Sequence, residues 1–73
     1  MDADTKNIIA LSRLEDALHF ARMTAGTAAA PSAVASLREA LDGIELADGR
    51  DAVTVAVLRR VTEEAQSFIA AIA

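Results

Sequence analysis

The chain has 73 residues, a formal net charge of −4 and no Cys, Trp or Tyr. Apolar residues make up 53% of it, but 18 of them are Ala and only 21 are larger. This is enough for one small acidic domain over residues 1–73. The absence of Cys excludes disulfides, thiolate zinc and cysteine nucleophiles.

At this length, apolar burial and chain ordering nearly cancel, and small domains are usually rescued by disulfides, a metal or a second chain. One His is too few for most imidazole metal sites, so neither metal nor cofactor is expected. A partner chain is the remaining route. The seven basic residues (Lys6, Arg13, Arg22, Arg38, Arg50, Arg59 and Arg60) are scattered. They form no basic face for nucleic acid or for anionic lipid. No apolar stretch reaches the length of a membrane span, no signal peptide is expected, and a cytoplasmic location follows as the expectation.

The first helical segment is expected over about 4–25. Leu11, Leu14, Leu18, Ala21 and Ala25 are spaced 3, 4, 3, 4 and form one stripe. Asp4 or Thr5 is expected to cap its start, and Gly26 to end it. After the linker Thr27–Ala30, a second helix is expected over about 31–42. Pro31 opens it and Val34, Leu37 and Leu41 share one face, which Ile44 extends. Gly43 is expected in the left-handed conformation that closes a helix, ahead of a polar turn running to Asp48.

The third segment is expected over about 49–72, with Leu58, Val61, Ala65, Phe68 and Ile72 again spaced 3, 4, 3, 4. Asp48 and Asp51 both suit its N-cap. Val53, Val55 and Val57 alternate as in a strand, but a lone strand has no partner, so helix is the reading. Short connections favour antiparallel neighbours. The expected architecture is an all-α, three-helix up-down-up domain, completed by homodimerisation into a larger helical bundle. The middle helix is too short to cover both long ones, so part of their apolar face should stay open.

Candidate functional residues come from what the stripe of the first helix leaves over and from the uncharged end of the third, where Phe68 and Ile72 either cover the core or dock on a partner. Ile9 and Phe20 lie nearly three turns apart on a second edge of the first helix, with Met23 following, although Asp16 interrupts that edge. Phe68, Ile69 and Ile72 lie in an uncharged C-terminal segment. These six residues are the candidate partner interface.

His19 is the only imidazole, with Glu15, Asp16 and Arg22 within one turn. The run His19-Phe20-Ala21-Arg22 resembles the His-x-x-basic core of phosphotransfer domains and of histidine-kinase dimerisation helices. That resemblance would make His19 a phosphoacceptor. Phe20 stands where the kinase motif has an acidic residue, and Met23 where phosphotransfer domains have Gly.

Arg59 and Arg60 precede Glu63 and Glu64 by four residues, the weaker order for a helical ion pair. Asp48-Gly49-Arg50-Asp51 lacks calcium-loop spacing, and no phosphate loop or nucleophile elbow is present. The function expected is therefore non-catalytic protein–protein interaction by a small adaptor, regulator or accessory subunit. Its partner is a second copy or another protein, not a nucleic acid, membrane or small-molecule substrate. His19 phosphotransfer is the first alternative and a helix–turn–helix DNA-binding regulator the second, although Gly49-Arg50-Asp51 is a poor start for a reading helix.

Overall fold

A computed structural model describes residues 2–44 and 49–72. The chain is an all-α domain of three helices: α1 (Ala3–Met23), α2 (Ala30–Asp42) and α3 (Ala52–Ile72). The expected polar turn before Asp48, and Asp48 as a possible cap, lie largely outside the described residues. The segment carrying alternating valines is helical, and among the described residues there is no strand.

Both long helices begin on an aspartate, but α1 does so earlier than Asp4 or Thr5. Asp2 is its N-cap: Thr5 N–H donates to Asp2 Oδ1 at 2.7 Å. Asp4 has a different task. Its Oδ1 accepts the Asp51 N–H at 3.0 Å, across 47 residues of sequence. Asp51 in turn starts α3, accepting from the N–H groups of Val53 and Thr54 and, at 2.7 Å, from the Thr54 hydroxyl. These bonds occupy donors that a first helical turn leaves without intrahelical partners.

The helix ends divide. Gly26 has φ +80°, the left-handed conformation expected of it, although α1 stops three residues earlier at a Thr24 cap. Thr24 bonds back to the Phe20 carbonyl through both its N–H and its hydroxyl. Gly43 corrects the expectation: its φ of −79° and ψ of −4° are right-handed. The chain leaves α2 by a further helical turn, with Gly43 N–H donating to the Glu39 carbonyl and Ile44 N–H to the Leu41 carbonyl. Ile44 then packs on the core.

α1 is the central element. α2 and α3 both pack extensively against it and meet each other over a small area. The buried core is Leu14, Leu18 and Ala21 of α1, Ala33 and Leu37 of α2, and Leu58, Val61 and Ala65 of α3. Three of these eight are Ala, so the helices approach closely while each contact buries little. The molecule is elongated, 40 × 20 × 17 Å. At the end where α1 and α3 begin, Asn7 is buried and Gly49 lies against it. A Cβ on Gly49 would fall 2.5 Å from Asp4 Oδ1 and 2.6 Å from Asn7 Nδ2.

Gly49→Ala is therefore expected to destabilise the fold by about 1–3 kcal/mol through overpacking. Gly26→Ala has open space around it and is expected to cost about 1 kcal/mol, through left-handed strain alone. Urea titration of the two variants separates these effects. Acid provides a second check. The Thr54 hydroxyl and N–H hold the Asp51 carboxyl below its usual pKa, and the Thr5 N–H does the same for Asp2. A carboxyl with a lower pKa folded than unfolded stabilises the fold above the ordinary carboxylate range, and that contribution is lost as pH falls through the folded value. The melting temperature should fall between about pH 5 and about pH 2, and Asp51→Asn, which keeps a capping oxygen without the titration, should make the fall shallower.

Candidate functional site

Five of the six candidate interface residues fall on two surfaces, and the sixth, Ile69, packs on the core outside both. Ile9, Phe20 and Met23 lie on the side of α1 that faces away from Leu14, Leu18 and Ala21. At about 100° of rotation per residue, these two sets point in opposite directions from one helix axis. Phe20 is 53% exposed and Met23 69%, while Ile9 is 36% exposed. Ile8, 55% exposed, projects from the flank of α1, about 100° around the axis from Ile9, and was missed in the sequence because it sits outside both spacing patterns. α1 thus carries apolar side chains on both sides, an inner row in the core and an outer row in water.

The second surface is a groove of about 380 Å³ at the end of the bundle where α1 and α3 finish and α2 begins. It exists because α2 and α3 do not close on each other. Its floor is Ala21 and Ala25, one wall is Pro31 and Val34, and the other is Phe68 and Ile72. Among its described lining residues only Arg38 is charged. Phe68 and Ile69 are half-buried and pack on the core, so both belong to the fold as well as to any interface. Ile72 is half-exposed.

His19 is exposed on α1. Arg22, within reach of the acids around His19, turns instead to α3, where its Nη2 lies 3.9 Å from Glu64 Oε2. Arg60 Nε approaches Glu64 Oε1 at 4.0 Å, so of the two expected i,i+4 pairs on α3 the Arg60–Glu64 pair is the one formed. These groups border a shallow charged hollow with Glu63, Ser67 and Phe68. Long contacts between half-exposed groups contribute little.

Among the described residues no three His, Asp or Glu side chains are grouped to hold a metal ion. Within the same residues no helix is long and apolar enough to cross a membrane. Comparison with protein-family models, with curated proteins and with solved structures finds no match.

Removing the Glu64 charge tests the weight of the ion pairs. Glu64→Gln is expected to shift the urea midpoint by the equivalent of less than about 0.5 kcal/mol. Leu14→Ala, at a fully buried position, should cost about 3 kcal/mol in the same measurement.

Proposed function

We propose that this chain is a non-catalytic interaction module that works as a homo-oligomer, meeting its partner through the outer side of α1. The observation that carries this reading is the outer row of Ile9, Phe20 and Met23, all exposed on a helix whose other side fills the core. Single exposed apolar residues are ordinary on any surface, but several large ones on one helix face mark a contact surface. Phe and Met are also enriched where proteins meet. The thin, Ala-rich core gives the same surface an energetic reason to be covered. The apolar groove beside Phe68 and Ile72 supports interaction as well, as a place separate from the α1 face.

The test is mass in solution. Light scattering between about 10 and 100 µM, a range bracketing micromolar affinity, is expected to show about twice the 7.6 kDa chain mass. A folded monomer throughout that range overturns self-association. Ile9→Glu with Phe20→Glu should return the chain to a monomer with its helical circular dichroism retained, because both positions are exposed. Ile69→Glu should instead lower the melting temperature, because Ile69 packs on the core.

A further inference from the structure

We infer that the second copy docks on α1 in one orientation, antiparallel, with a two-fold axis passing between residues 14 and 15. This rests on the self-association proposed above and specifies its geometry. Lys6, Ile9, Arg13, Asp16, Phe20 and Met23 follow one another at steps of 3, 4, 3, 4 and 3 residues. That is the spacing of a seam between two packed helices. All six are exposed. They form the outer row of α1, with two polar positions at its centre.

The row inverts onto itself. About the stated axis, Ile9 lies opposite Phe20 of the second copy, and Phe20 opposite Ile9. Arg13 lies opposite Asp16 of the second copy, and Asp16 opposite Arg13. Lys6 lies opposite Met23, where its aliphatic stem can cover the thioether. A two-fold interface requires this kind of self-complementarity: each residue of the patch must suit the residue to which the axis carries it. Among the described residues neither Arg13 nor Asp16 takes part in an ion pair within its own chain, so both charges are available to the second copy.

The charges also reject two alternatives. A parallel pair with a two-fold axis along the helices sets Arg13 against Arg13 and Asp16 against Asp16. Sliding the antiparallel axis to residue 16 brings Ile9 to Met23 but sets the two Asp16 carboxylates face to face. Like charges opposed at an interface are strongly unfavourable, and this is how charge selects register and orientation. Asp16, which interrupts the apolar edge in the sequence, is the residue that fixes the pairing.

Charge reversal tests this. The dissociation constant is measured by sedimentation equilibrium for the natural chain, Arg13→Asp, Asp16→Arg and the double variant. Each single reversal opposes like charges at two symmetry-related places and should weaken the dimer about tenfold or more. The double variant should restore affinity to within about threefold of the natural chain. Circular dichroism verifies that all four fold, as exposed positions should allow. Single reversals without effect, or a double variant that fails to recover, overturn this register while leaving self-association intact. A natural chain that stays monomeric removes both.

Orientation is read separately. The chain has no Cys, so Thr5→Cys gives a unique site for a nitroxide label. In the antiparallel pair residue 5 lies opposite residue 24 of the second copy, and two labels sit about 30 Å apart at 1.5 Å rise per residue. A parallel pair brings them to about 10 Å, the spacing of packed helices. A short distance by pulsed electron paramagnetic resonance overturns the antiparallel arrangement.

Discussion

The packing of one α1 row, Leu14, Leu18 and Ala21, supports everything else in this domain. α2 and α3 each lie on that row and share little contact with one another. If α1 were withdrawn, the remaining two helices would have no common core, since Ala33 and Leu37 on one and Leu58, Val61 and Ala65 on the other converge through it. A three-helix bundle usually distributes its contacts around a triangle. Here the triangle is open on one side, and the groove lined by Pro31, Val34, Phe68 and Ile72 is that open side.

Much of the fold was legible because helical period depends on side-chain position alone. The stripes through Leu14 and Leu18, Val34 and Leu37, and Leu58 and Val61 indicate three helices, and the structure has them. The connection details were less legible, because they depend on which of several chemically equivalent groups reaches its donor first. Asp2, Asp4 and Thr5 all qualify as a cap by type. Asp4 is drawn away by the Asp51 N–H, a contact 47 residues distant that no local rule contains. Gly43 shows the converse. Glycine permits the left-handed conformation without requiring it, and with the Glu39 carbonyl within reach the chain continues right-handed.

The candidate surface was legible in part. Ile9, Phe20 and Met23 stand out because they repeat with helical spacing away from the core stripe, and they are exposed. Phe68 falls on the third core stripe and packs as that spacing implies, whereas Ile69 stands out only for lack of nearby charge, which does not show that it faces inward; both side chains pack on the core. Ile8 and the exposed Val53 belong to no stripe and gave no signal. Buried Asn7 gave none either. Its position is explained by Gly49, whose missing side chain makes room for it.

The bond from Asp51 N–H to Asp4 joins the beginnings of two helices far apart in the chain, and this has a consequence for the order of assembly. α1 and α2 are neighbours in sequence and can pack as a hairpin after closing a short loop. α3 must close a much longer loop before its first turn finds Asp4, and the entropy of that closure has to be met before its contacts form. The path with the smaller early loss in freedom builds the α1–α2 hairpin first and adds α3 onto an exposed strip of α1. At that stage α1 is open along two lines, the one awaiting α3 and the outer row, so folding and association draw on neighbouring faces of the same helix.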